Sequence, residues 1–219
     1  MATPGEIVAL EGVCCAGKTT LIKSMSKELG AGVIPELPEF GRNLFLPFNG
    51  RESIARNSQD SIPIEKVRVT AAVGLSAIAS HVIMDRSFFS TLALGYGAVD
   101  ITGPEAYRKL VDSVVDMMRT GEMPLPDKVL CVKVDVNTVK QRNQSRTPPL
   151  DDYWIDGSRI TRQNEFYSGL QGLPGVAMVN GNADRESVLN GCLGTVRLAG
   201  SLSLRETVES IEGFRDTVL

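Results

Sequence analysis

The sequence predicts an α/β protein of three layers, α/β/α, around a central parallel sheet of about five strands. Two observations carry that expectation. Short apolar runs alternate with helical runs along the 219 residues, which calls for a parallel sheet with helices on both faces. The first apolar run, Glu6 to Leu10, also passes directly into Gly12-Val13-Cys14-Cys15-Ala16-Gly17-Lys18-Thr19, a glycine-framed loop that opens a helix. That spacing fits the Walker A phosphate loop in full, in the strand–loop–helix context the motif needs. The length suits one well-buried core, so residues 1–219 are expected to form a single domain.

Ile7 to Leu10 is a continuous apolar run, as expected of a strand buried on both faces. In the loop after it, glycine at each end lets backbone N–H groups turn inward around phosphate oxygens. Lys18 brings a charge to the outer phosphates and the Thr19 hydroxyl can ligate Mg²⁺. Gly12, Val13, Cys14, Cys15, Ala16, Gly17, Lys18, Thr19 and Thr20 are therefore the expected nucleotide-binding set. The helix from about Lys18 to Leu29 aligns Leu21, Ile22, Met25 and Leu29 on one side, and Gly30 and Gly32 stop it. Gly32 to Pro35 reads as a second strand ending at Glu36, where acidic groups of an open parallel sheet face the ligand crevice.

From 41 to 62 the pattern is irregular, interrupted by Pro47, Asn49, Gly50, Asn57 and, just beyond, Pro63. The clusters Leu44-Phe45-Leu46 and Phe48 mark it as a packed excursion that shapes a pocket. A helix is expected from Pro63 to Ala79, starting near Ile64-Glu65, with Val67, Ala71, Leu75 and Ile78 at helical spacing. His81 reads as a surface residue at its end. Val82-Ile83-Met84-Asp85 is a third strand and a Walker B candidate, its carboxylate set to hold Mg²⁺ opposite Thr19. Glu105 to Arg119 is a helix with Pro104 near its start, Asp127 to Val134 a strand, and Asn137 to Ser145 a short helix carrying Arg142, with Arg146 just beyond. Thr147 to Asp156, with Pro148, Pro149 and Trp154, is a loop by composition. Helix, strand and helix follow at Ser158 to Leu170, Val176 to Val179 and Ser187 to Leu198, before an amphipathic tail at about 201–219 through Val208, Ile211 and Phe214.

A net charge of −3 supplies no general field for nucleic acid or an anionic membrane, so neither is an expected partner. No run approaches the ~18 apolar residues of a membrane span and the first residues carry no basic-then-apolar signal, which predicts a cytoplasmic protein. The four cysteines form no metal pattern. Cys14 and Cys15 are adjacent in the loop, where a disulfide would distort the phosphate cradle, and are read as reduced thiols.

Taken together, Leu10-Glu11-Gly12 with the loop through Thr20, Asp85-Arg86-Ser87 followed by Ser90, Pro126-Asp127, Arg142 with Arg146, and Phe166-Tyr167 give a chain that resembles the thymidylate kinase-like group of P-loop nucleoside and nucleoside-monophosphate kinases over most of residues 6–197. The resemblance implies a P-loop kinase fold with a mobile lid at about 142–157, ATP as phosphoryl donor, and Mg²⁺ held by Thr19 and Asp85. It implies catalytic roles for Lys18, Arg86 and the lid arginines Arg142 and Arg146. Glu36 would orient the acceptor or take a hydroxyl proton, with Glu39 as the competing carboxylate. Arg68 falls where relatives contact a base or phosphate, Phe40, Phe45 and Phe48 where rings could stack, and Tyr167 on a helix lining the sugar pocket. Relatives are commonly dimers, so a homodimer is a possible assembly.

Three departures bear on the acceptor. Cys14 stands where thymidylate kinases carry aspartate, Pro35-Glu36-Leu37-Pro38-Glu39 replaces their usual turn, and the lid adds Pro148-Pro149 and Trp154. The expected function is an ATP-dependent phosphotransferase acting on a nucleoside monophosphate or a closely related nucleoside, a small molecule. Two alternatives stay open: a small-molecule kinase with a non-nucleotide acceptor, and a nucleotide-binding regulatory protein without rapid transfer chemistry.

Overall fold

The structure, a computed structural model, describes residues 3–38, 45–197 and 200–218. Five strands, β1 (Glu6–Glu11), β2 (Gly32–Ile34), β3 (His81–Asp85), β4 (Lys128–Lys133) and β5 (Val176–Asn180), form one sheet in the order β2-β3-β1-β4-β5. Every pairing is parallel. The chain runs from β1 out to β2, back to β3 beside β1, and then to β4 on the other side. The direction of winding thus reverses at β1, and a ligand crevice opens at the carboxyl ends of the strands there.

Successive strand residues feed two cores. Ile7, Ala9, Val82, Met84, Val129 and Cys131 point to one face, while Val8, Leu10, Ile83, Leu130 and Val132 point to the other. Burial on both faces is why these strands are continuously apolar rather than alternating. The second face is covered by α1 (Lys18–Leu29) through Leu21, Ile22 and Met25, together with α9 (Arg185–Val196) through Val188, Cys192 and Val196. The first is covered by α2 (Arg51–Ser76), α3 (Phe88–Gly97), α5 (Pro104–Arg119), α8 (Gly157–Gly169) and α10 (Leu204–Thr217), whose buried residues include Val69, Phe88, Leu92, Val114, Phe166 and Ile211. The short helices α4 (Val99–Thr102) and α7 (Asp152–Ile155) and the nine-residue α6 (Val136–Gln144) complete the described elements. The three-layer α/β/α architecture is as expected.

Four local readings need correction. The helix expected to start at Pro63 begins a dozen residues earlier, at Arg51, and passes through the proline. Packing overrides the local signal: Ile54, Asn57, Ser61 and Ile62 are buried ahead of Pro63, and the Asn57 side-chain amide pairs with both backbone groups of Leu46 (2.8 and 2.7 Å). α3 and α4 lack an expectation altogether, because Phe88, Phe89, Leu92 and Ala93 are buried around the helix and leave no amphipathic period. Within 147–156, expected as loop, Asp152–Ile155 turns into α7. His81 is the first residue of β3, half-buried, with Nδ1 enclosed.

Pro63 itself is exposed and removes one backbone donor from a helix interior. Pro63→Ala is therefore expected to stabilise the fold by about 1–2 kcal/mol, the restored hydrogen bond outweighing the greater freedom of the unfolded chain. A urea midpoint below that of the parent would show that the bend is required.

Candidate active site

The loop between β1 and α1 is shaped by three residues at positive φ, Gly12 (137°), Cys15 (59°) and Gly17 (92°). A Cβ at Gly12 would lie 2.4 Å from the Val132 carbonyl oxygen, so the loop can leave β1 against β4 only with glycine there. Val13 and Ala16 turn their side chains into the core beneath α1, and neither lines the cavity. The thiols of Cys14 and Cys15 are free, half-buried and at the cavity wall. Lys18, 6% exposed, folds back to donate to the carbonyls of Gly12 (3.1 Å) and Val13 (3.0 Å). Burial, and secondarily the charge of Arg86, lowers its ammonium to about 8.

Asp85 ends β3 beside β1. Its Oδ2 accepts from the Thr19 hydroxyl at 3.3 Å, while its Oδ1 is enclosed and has no hydrogen-bond partner among the described residues. Burial pushes this carboxyl up, against the pull of Lys18. A hydroxyl and an under-satisfied carboxylate facing each other are hard oxygen ligands that fit Mg²⁺. No group of three or more His, Cys, Asp or Glu suited to a metal ion occurs among the described residues.

Arg86, the next residue, sits at φ 66° and is buried. Its Nε pairs with Glu36 Oε1, its Nη1 donates to the Gly12 carbonyl (2.7 Å) and Ser90 Oγ (3.1 Å), and its Nη2 reaches Cys14 Sγ (3.7 Å). Burial alone would raise the Glu36 carboxyl, but Arg86 and Lys18 outweigh it and hold Glu36 below the ordinary carboxylate range. The strand-end acid and the arginine that follows β3 are thus one ion pair at the cavity. Glu39 and Phe40, the other candidates from that turn, lie outside the described residues.

Beneath this pair is a layer that sequence reasoning missed. Glu11, fully buried, accepts from the Ser87 amide (2.7 Å), the Ser87 hydroxyl (2.6 Å) and the Ser90 hydroxyl. Burial raises its carboxyl, partly offset by these donors. Its signal is a charge at the end of the apolar run Ile7 to Leu10, immediately before the loop. Tyr167 joins the same layer, its hydroxyl 3.2 Å from Ser90 Oγ, and is buried away from the cavity rather than lining a sugar pocket. Arg68, expected to contact a base or phosphate, is fully buried and bonds to Glu65 and to backbone carbonyls instead.

The cavity enclosed above these groups holds about 650 Å³. Cys14, Cys15, Gly17, Lys18, Thr19, Thr20, Glu36 and Arg86 form its floor and loop side, and Arg142 and Arg146 approach from α6 and the turn after it. Arg142 donates to the loop carbonyls of Cys15 (3.3 Å) and Ala16 (3.2 Å) and to Gly181 O (2.8 Å), while Arg146 is exposed. α2 contributes Asn57, Ser58 and Ser61, and α3 contributes Ser90, Thr91 and Leu94. An apolar wall of Phe45, Phe48, Leu150, Tyr153 and Trp154 closes the remainder. Phe48 contacts Tyr153 and Trp154 at ring centroid separations of 5.1 and 4.7 Å, and Arg159 lies 4.3 Å over the Tyr153 ring. The aromatic contacts join the segment before α2 to α7, two stretches expected to be irregular. Among the described residues no helix is long and apolar enough to cross a membrane.

No protein-family model matches the sequence, and no curated protein matches it. Solved structures do match. Deoxyadenosine kinase from M. mycoides with the products dCMP and a flexible dCDP bound superposes with a TM-score of 0.65 at 17% identity, covering 87% of this chain and 98% of that one. The same kinase with dCTP gives 0.68 at 16% identity, covering 87% and 98%, and with dATP 0.63 at 16% identity, covering 88% and 100%. At such identities the likeness establishes the fold alone, the P-loop α/β/α fold these structures share with this chain.

Proposed function

We propose that this protein is an ATP- and Mg²⁺-dependent kinase that phosphorylates a hydroxyl of a nucleoside. The observation that carries the proposal is the Glu36–Arg86 pair in the same cavity as the phosphate loop. A carboxylate held ionised at this point suits an acceptor that must lose a proton, and it repels an acceptor that arrives as a phosphate dianion. The walls from α2 and α3 agree. Their described lining residues, Asn57, Ser58, Ser61, Ser90, Thr91 and Leu94, are all neutral, whereas the described cations of the cavity are Lys18, Arg86, Arg142 and Arg146. The M. mycoides deoxyadenosine kinase, with its bound deoxynucleotides, supports the same substrate class. Of the two forms of acceptor left open by the sequence, the nucleoside is favoured over the thymidylate-type monophosphate.

In the reaction the loop amides and Lys18 hold the β- and γ-phosphates of ATP. Glu36 accepts the proton of the acceptor hydroxyl as its oxygen bonds to the γ-phosphorus, the bond from that phosphorus to the β–γ bridging oxygen breaks, and ADP leaves. Arg86 lies where charge gathers on the transferred group, with Arg142 and Arg146 of the 142–157 lid closing from the other side. Mg²⁺ held by Thr19 and Asp85 would neutralise the β- and γ-oxygens. The Phe48, Tyr153 and Trp154 rings offer apolar surface for a base. Asp85→Asn keeps the side chain's shape but loses the charge, and is expected to raise the Mg²⁺ concentration for half-maximal turnover by at least about 10-fold.

A coupled ADP-release assay with nucleosides, deoxynucleosides, their monophosphates and small alcohols tests the proposal. The expected result is acceptor-dependent ADP release with kcat/KM for a nucleoside exceeding that for its monophosphate by about 10-fold or more. Preference for a monophosphate would return the chain to the thymidylate-type reading. ATP hydrolysis indifferent to every acceptor would reject a kinase.

A further inference from the structure

We propose that Arg68, anchored by Glu65, is the positioning residue that holds Glu36 and Arg86 in register across the floor of the site; its catalytic consequence rests on the nucleoside-kinase reading above. The guanidinium makes five hydrogen bonds, and each of its three nitrogens donates. Nε–H donates to the Pro35 carbonyl at 3.0 Å. Nη1 donates to both carboxylate oxygens of Glu65, at 2.9 and 2.8 Å. Nη2 donates to the carbonyls of Asp85 (2.6 Å) and Arg86 (2.8 Å). Three of these acceptors are backbone oxygens next to or within the residues that do the chemistry: Pro35 immediately precedes Glu36, and Asp85 and Arg86 are themselves site residues.

The sheet does not do this work. The β2–β3 pairing ends at Ile34 with Met84, so no ladder ties Pro35 and Glu36 to Asp85 and Arg86. Arg86 moreover adopts a left-handed conformation (φ 66°) that a long side chain resists. The planar guanidinium bridges the gap, taking one carbonyl from the β2 side and two from the β3 side. Glu65, three residues earlier on α2, fixes the fork's rear edge, and both side chains are 0% exposed. Neither lines the cavity, so the pair acts on the site through the backbone it holds, with the charge of Arg68 adding to the pull on Glu36. A lysine, with three N–H groups on one atom, cannot reproduce the planar five-donor fork. An ion pair kept only for core stability has no need of these three carbonyls, and burial of such a pair is itself weak evidence for stability.

Arg68→Lys and Glu65→Gln, compared with the parent chain, test the assignment. Glu65→Gln keeps the shape of the anchor and one acceptor oxygen, so it remains informative even if the lysine variant folds poorly. The expected result is a kcat for a nucleoside acceptor lowered about 100-fold in Arg68→Lys and about 10-fold in Glu65→Gln, with the KM for ATP within about twofold of the parent. Hydrogen exchange read by mass spectrometry should rise in the peptides spanning 34–38 and 84–88, where the Arg86 amide otherwise donates to Leu10 O and the Ser87 amide to Glu11. Parent-like exchange in both segments of a folded variant overturns the proposal, as does an unchanged kcat where the parent is active. If the parent itself turns over no nucleoside, the kinase reading fails, and the exchange data still decide what Arg68 does.

Discussion

Lys18→Ala is expected to cut turnover by about 10³-fold or more while lowering the stability of the free protein by no more than about 3 kcal/mol. The first half follows from where charge accumulates in the proposed reaction: there Lys18 is the loop's cation, and its removal would leave the outer phosphates without their fixed partner. The second follows from what burial does to the ammonium. Its acidity moves from an ordinary 10.5 to about 8 in the fold, worth roughly 3 kcal/mol against the charged form. The sign is that of a group that binds its proton less tightly when folded. The unfolded chain therefore holds more protons between about 8 and 10.5, and stability rises with pH across that window. At neutral pH the cost is present in full, and alanine removes it. Against this gain stands the loss of two hydrogen bonds to the Gly12 and Val13 carbonyls, about 1.5–3 kcal/mol for each bond to a charged donor. The low end of that loss matches the gain, and the high end exceeds it by about 3 kcal/mol. Steady-state kinetics with thermal unfolding of the nucleotide-free proteins check both halves. Turnover within tenfold of the parent would remove Lys18 from the phosphate site, and a collapse in melting temperature would make it a structural residue.

How much of this was legible from residues alone depended on whether the cause was local. Val82-Ile83-Met84 and Val129 to Val132 announce themselves because strands covered on both faces are apolar throughout. The loop announces itself because binding phosphate with backbone amides demands glycines at a fixed spacing. α3 stayed hidden for the opposite reason: Phe88 through Ala93 is buried all round, and a helix without a polar face has no period to detect. The first half of α2 was masked by Pro63, a helix breaker by propensity, and by Asn57, which favours caps and turns. Here the asparagine's amide is spent on Leu46 and the proline is outweighed by packing. In the site, Glu36 was legible as an acid at a strand's end, but its union with Arg86 joins positions 50 apart and exists only once β2 lies beside β3. Arg68 illustrates the limit most clearly. An arginine on a helix flanking a nucleotide site suggests a ligand contact, and nothing in its neighbours reveals three backbone carbonyls converging on it from two strand ends.

Glu36→Gln separates the hydroxyl acceptor from the phosphate acceptor, and its expected effect is a kcat lowered by about 10²- to 10³-fold for a nucleoside with the KM for ATP unchanged. Glutamine keeps the length of the side chain and can still accept from Arg86, but it cannot take a proton. The pH profile gives an independent reading. Burial alone would raise the Glu36 carboxyl, yet Arg86 and Lys18 prevail and hold it below the ordinary value of 4.5. A base so held is ionised throughout the neutral range, so the parent's kcat should be flat from pH 6 to 8 as far as this group is concerned, with its acid limb displaced below the usual carboxylate range. The same substitution predicts the reverse outcome for a monophosphate. There the transferred group is attacked by an oxygen that is already ionised, no base is needed, and the fixed carboxylate only repels the incoming dianion. Glu36→Gln should then leave kcat nearly unchanged and lower the KM for the acceptor. Measuring kcat and KM for a nucleoside and its own monophosphate on the same two proteins decides between the acceptors, because removing the one negative charge lowers kcat/KM where it abstracts a proton and raises kcat/KM where it only repels.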